Sequence, residues 1–112
     1  MSLSIPGVTV MVGELLQSNP EFWIGDNYPN PFNPSTVISY VLPSRSRVRL
    51  EIANALGQQV AVLENGEQEA GHHKVEWRAK VASGAYFYRI DAVTTADPNI
   101  RFVKSRRMLL LK

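Results

Sequence analysis

"RVRLEIA" (47–53) places Val48, Leu50 and Ile52 on one side of an extended chain and Arg47, Arg49 and Glu51 on the other. That period of two is the pattern of a strand with one face in a core and one in water; a helix would repeat its apolar positions every three or four residues. The same period recurs on both sides of this stretch. Upstream, "TVISYVL" (36–42) sets Ile38, Tyr40 and Leu42 against Val37, Ser39 and Val41. Downstream come "QVAVLE" (59–64), "HKVEWRA" (73–79), "GAYFYRIDAV" (84–93) and "IRFVKSRRMLLLK" (100–112). Turn signals separate them: Gly57 in "ALGQ" suits a positive φ, and "TADPN" (95–99) is a reverse turn. Short strands with a turn signal every ~10–15 residues predict an all-β, antiparallel sandwich and not βαβ units.

The N-terminal fifth is harder to place. "GVTVMVG" (7–13) alternates Val8, Val10 and Val12 and would serve as a seventh strand or belong to a preceding region. "ELLQSNPEF" (14–22) is long enough for one helical turn. We expect residues 1–21 to be linker, with "MSL" as an expression start on a fragment of a longer protein, and residues 22–112 to be the domain. The apolar "MLLLK" reads as a native C-terminus.

The chain's 112 residues suffice for one core. Hydrophobic residues make up 45% and charged residues 20%, an ordinary globular balance. A net charge of +2, from 12 basic against 10 acidic residues, argues against a nucleic-acid binder. With no cysteine there are no disulfides, thiolate metal sites or cysteine nucleophiles. No run approaches the roughly 20 apolar residues of a membrane-spanning helix, and no basic-then-apolar leader pattern opens the chain.

"NYPNPFNPST" (27–36) is stiff and polar. Pro29, Pro31 and Pro34 fix φ and delete three N–H donors, while Asn27, Asn30 and Asn33 have amides suited to capping turns. The expectation is a rigid, non-pairing crossing between sheets with Phe32 as its one large core anchor. Asn33-Pro34-Ser35 is no glycosylation acceptor, because proline holds the middle position.

Catalytic constellations are missing from the sequence. His72 and His73 are adjacent, so on a strand they point to opposite faces and cannot share a metal ion. Glu64, Glu67 and Glu69 fall in "ENGEQEAG", expected to be a solvated turn. Serines lack a nucleophile elbow and no phosphate loop is present. No enzyme activity, cofactor, metal or small-molecule substrate is expected. Trp23, Trp77 and the Tyr86–Tyr88 run would suit sugar stacking, although aromatics at period two are more often core. The basic cluster Lys104, Arg106, Arg107 and Lys112 reads as protection of a terminal edge strand or as a face for an anionic partner.

Five blocks, in order, carry a family resemblance: "NYPNPFNPST-I-Y-LP" (27–43), "V-L-I-ALG--V--L" (48–63), "G-H-V-W" (71–77), "ASG-YFYRI" (82–90) and "KSRRMLLLK" (104–112). Over residues 22–112 the chain resembles the C-terminal sorting domains, type A, of type IX (Por) secretion system cargo from Bacteroidetes-like bacteria. It is also similar in fold to the C-terminal domain of the flagellar hook-capping protein. The resemblance implies an immunoglobulin-like antiparallel β-sandwich of about seven strands. It further implies a non-catalytic signal that takes a larger cargo protein through the periplasm to the cell surface. The implied partners are an outer-membrane translocon and a sortase-like peptidase. By position, recognition would fall to Gly84, Tyr86 and Ile90 and to the terminal strand Lys104, Arg106, Arg107, Met108, Leu109, Leu110, Leu111 and Lys112. Asn27 through Pro34, with Gly57 and Trp77, would be scaffold. Asn54 stands where many relatives carry an acid, and the 94–101 connection looks longer than the usual return.

On this reading the apolar tail frays from the domain and adds to a translocon edge. Removing Leu109–Lys112 is then expected to leave a folded domain that no longer exports its cargo. A structural Ig-like spacer is the alternative, a glycan-binding module the second alternative, and a free edge strand would permit a dimer.

Overall fold

The computed structural model describes residues 21–112. Seven strands appear: β1 (Trp23–Ile24), β2 (Ser35–Leu42), β3 (Ser46–Asn54), β4 (Gln59–Gln68), β5 (Gly71–Arg78), β6 (Gly84–Thr94) and β7 (Arg101–Leu110). They form two antiparallel sheets, ordered β1-β2-β5 and β4-β3-β6-β7. The chain is an all-β, immunoglobulin-like sandwich. The expected strand at 7–13 lies outside the described residues, as does the helical turn apart from its last two positions. Among the described residues, the seventh strand is the two-residue β1, paired with Val41 and Tyr40 of β2.

β3 lies inside the larger sheet, bonded to β4 and β6, and its alternation is realised fully: Val48, Leu50 and Ile52 are 0% exposed. Tyr88, Ile90 and Ala92 of β6 join them from the same sheet, and Ile38, Tyr40 and Leu42 of β2 come from the other. Each large aliphatic side chain so buried contributes about 1.5–3 kcal/mol. Val41 is also buried, although it lies on the opposite face of β2. At the sandwich end below Phe32, that ring lies 5.8 Å from Trp77, which meets Tyr86 edge-on at 5.7 Å. Trp77 is 7% exposed, so it is core and not a sugar platform.

Two expectations need correction. "ENGEQ" is not a turn: β4 continues to Gln68, opposite Ser46 of β3. Register shifts opposite Leu50/Glu51 and Ile52/Ala53 break its period, and Gly66 opposite Val48 mimics a turn signal. Nor is 27–36 non-pairing. Its prolines delete donors at 29, 31 and 34, but Tyr28 and Phe32 between them keep theirs. Tyr28 exchanges two 2.9 Å backbone hydrogen bonds with Val37 in one sheet, and Phe32 bonds to Leu109 and Leu111 beside the other. The crossing does anchor through Phe32, 2% exposed. A polar knot holds its start, where Asn27 Nδ2 donates to Thr36 Oγ1 (3.0 Å) and Thr36 Oγ1 donates to Pro29 O (2.8 Å). At Gly57, φ is +84°, as the "ALGQ" turn requires.

Candidate functional site: the terminal strand

β7 is an edge strand, paired with β6 from Gly84↔Leu110 to Val93↔Arg101 without a break. The long 94–101 connection therefore does not disturb how the last two strands pair. Thr94 N–H donates to Ile100 O and Ile100 N–H to Asp97 O, both at 3.0 Å, while Asp97 Oδ1 accepts from Asn99 N–H.

Along β7, even-numbered side chains face the other sheet and odd-numbered ones face outward, and the strand divides in two. Met108 and Leu110 are buried in the core at 1% and 0%. Leu109 O accepts from Phe32 N–H (3.0 Å), Leu111 N–H donates to Phe32 O (3.0 Å), Leu109 N–H donates to Asn30 Oδ1 (3.1 Å), and Lys112 N–H donates to Ser83 Oγ (2.9 Å). The C-terminal half is thus tied down rather than frayed. Removing Leu109–Lys112, expected to leave a folded domain that no longer exports its cargo, would also empty the core position of Leu110 and so cost stability.

The first half is different. Arg101, Val103, Lys104, Ser105, Arg106 and Arg107 are all exposed. Arg101 Nε donates to Asp91 Oδ1 at 2.9 Å and a second nitrogen meets Oδ2. Hydrogen bonding from Arg101 holds the Asp91 carboxyl below the usual aspartate range, against the opposing effect of partial burial. Arg106 reaches across the sandwich opening to Ile24 O (3.1 Å) and Asp26 (2.9 Å), and Phe22 stacks on Phe102 at 4.8 Å. Among the described residues, Lys104 and Arg107 have no acidic group within 4.0 Å.

The other expected recognition residues lie beside this strand but beneath its surface. Gly84 pairs with Leu110, Tyr86 with Met108 and Ile90 with Lys104. Ile90 is 0% exposed and Tyr86 donates its hydroxyl to Ala82 O at 2.6 Å. All three set the position of β7; Tyr86 and Ile90 present almost no surface, and Gly84 is half-buried. The sequence reading missed Asp26 and Ser83; 80 residues separate Asp26 from Arg106, and no local pattern could join them.

On the outer face of the four-stranded sheet, Ala53 and Phe87 floor a shallow depression of about 380 Å³ rimmed by Glu51, Gln59, Arg89 and Ser105. Arg49 (3.4 Å) and Arg89 (3.7 Å) occupy the Glu51 carboxylate, which leaves neither a free base nor a nucleophile pair there. His73 stacks on Tyr40 at 5.2 Å and its Nε2 lies 2.7 Å from Glu69 O, while His72 is exposed on the opposite face. Trp23, Tyr28 and Phe87 are exposed; Trp23 and Tyr28 both pair with β2 of the smaller sheet, and Phe87 lies on β6 of the larger one.

A model of the FlgD Ig-like domain family matches residues 32–97, more than half of the chain. The chain belongs to this family. The FlgD Ig-like match begins at the Phe32 anchor, takes in β2 through β6, and stops in the turn before β7. The strand with the densest basic charge therefore lies beyond the matched portion of this FlgD-type domain. None of the curated proteins compared with the chain matches it.

Proposed function

We propose that this FlgD-type Ig-like domain is a C-terminal sorting signal of the type IX kind: a non-catalytic module that directs a larger cargo protein across the outer membrane to the cell surface. The observation that carries the reading is β7 itself. Past the end of the family match, the chain supplies a basic edge strand, and its "KSRRMLLLK" is the terminal block of the sorting-domain resemblance. The partner is an outer-membrane translocon, and a sortase-like peptidase acts after export. Lys104 and Arg107, on opposite faces of β7, give its edge positive charge on both sides and would steer an anionic partner from a distance. Met108 and Leu110 seat the strand instead of being read directly.

The test fuses the whole chain to the C-terminus of a fluorescent reporter carrying a signal peptide, in a bacterium with a type IX system. Surface fluorescence is expected for the native sequence, with periplasmic retention for the Lys104→Glu/Arg107→Glu variant. Retention of both in the native host would overturn the sorting reading. That result would leave a structural Ig-like spacer, which the FlgD family match also favours.

A further inference from the structure

Among the described residues, the β7 edge that faces away from β6 is open along Arg101–Arg107 and closed beyond it. Thr94 N–H donates to Ile100 O, and this sets the phase of the ladder. Even-numbered residues of β7 bond to β6, while odd-numbered ones turn N–H and C=O outward. Phe32 and Asn30 take the outward groups of Leu109 and Leu111. Among the described residues, no backbone partner meets those of Arg101, Val103, Ser105 and Arg107.

We infer that this open edge accepts an extended acidic segment of a partner protein as an added strand of the four-stranded sheet. Charge selects the occupant. Asp91 already engages Arg101 and Asp26 engages Arg106, so the uncompensated charge beside the edge is that of Lys104 and Arg107. A second copy of β7 suits the edge poorly. Two-fold antiparallel pairing about Lys104 sets Arg101 opposite Arg107 at both ends, and like charges directly opposed are destabilising. The far edge of the same sheet is less receptive, because two register irregularities interrupt β4. Asn30 and Phe32 act as a stop, fixing how far along β7 an added strand can run. The inference goes beyond the sorting reading and stands on the edge alone, so peptide binding can fail while export persists, and the reverse.

The experiment uses the full chain, isotopically labelled, with three blocked seven-residue peptides. One alternates valine and glutamate, one replaces glutamate by lysine, and one is the glutamate peptide N-methylated at alternate positions to remove its donors. Amide hydrogen exchange is read by NMR. The glutamate peptide is expected to slow exchange at Val103 and Ser105 by about tenfold or more and to leave Lys104 and Arg106, already bonded to β6, unchanged. The lysine and N-methylated peptides are expected to do neither. Equal protection by the lysine peptide, no protection at saturating glutamate peptide, or protection of Val103 and Ser105 before any peptide is added would each overturn the inference. Ser105→Pro removes one outward donor without touching the β6 ladder and is expected to abolish binding with the circular dichroism unchanged. Should that variant unfold, Lys104→Glu/Arg107→Glu answers the same question: it must transfer the preference to the lysine peptide, and undiminished binding of the glutamate peptide would sink the proposal.

Discussion

From Met108 onward β7 is held by its core side chains, by Phe32 and by Asn30; from Arg101 to Arg107 the same strand has β6 on one side and, among the described residues, no strand on the other. The apolar half, which invites a reading as an adhesive hook, is the anchored half. The charged half, which invites a reading as mere solubilising surface, is the one with backbone groups to offer. Apolar side chains follow the core wherever one is available, so a run of leucines at a chain end is poor evidence of an exposed docking peptide. Unpaired edge hydrogen-bonding groups say more.

The largest expected effect sharpens that contrast. Leu110→Ala should cost about 2–5 kcal/mol in urea denaturation, as truncation at a fully buried site does, whereas Val103→Ala on the same strand should stay within about 0.5 kcal/mol. Similar costs at both positions would mean that the halves are not different in kind.

A smaller effect belongs to Tyr88, which pairs with Arg106 where the two halves meet and donates its hydroxyl to Gly25 O at 2.6 Å. Burial pushes that hydroxyl up from 10.0 to about 12, with nearby Arg106 opposing the rise. A folded-state pKa above the unfolded one gives stability that is complete below pH 10 and is lost as pH climbs through about 12. Burial raises Tyr40 in the same way, also to about 12. Tyr88→Phe should therefore weaken the domain by about 0.5–1.5 kcal/mol at neutral pH, because a buried hydrogen bond is lost. It should also flatten part of the alkaline decline, leaving the share due to Tyr40. An unchanged alkaline profile would show that the hydroxyl is not held in the fold.

The smallest effect lies at the start of β7. Because Arg101 lowers the pKa of Asp91 in the fold, the pair's contribution is present above the ordinary aspartate value of 3.8 and fades as pH falls through the lowered one. Asp91→Asn should remove that acid-side slope and lower neutral stability by the same small amount, as expected for a partly exposed ion pair. Denaturation midpoints compared between pH 6 and pH 2 would show it, and parallel curves would count against the pairing.

How much of this was legible in the sequence depended on whether one local period governed the residues. β3 could be read in full because its alternate residues Val48, Leu50 and Ile52 all enter one core. The second half of β4 could not, since Glu64–Gln68 carries no apolar side chain and Asn65-Gly66 imitates a turn signal. For 27–36 the prolines announce the missing donors, but no local signal shows that the remaining N–H groups of Tyr28 and Phe32 pair with Val37 and Leu109. In β7 the charge pattern was plain. Which backbone groups point outward follows only from the phase of the β6 ladder, and which arginines are already engaged follows only from distant Asp26 and cross-strand Asp91. Single-residue chemistry was visible; pairing at long range was not.

The contact between Phe32 and Leu109–Leu111 also bears on biosynthesis. It joins an early part of the domain to a very late one, so it cannot form until residue 111 has left the ribosome. Before then Trp77 and Tyr86 lack the Phe32 lid in its final place, and the β6 edge that β7 will cover is bare. Closure over so great a sequence separation is slow as well as late. A nascent chain of this design would stay open, and available to chaperones, until Leu109–Leu111 had been made.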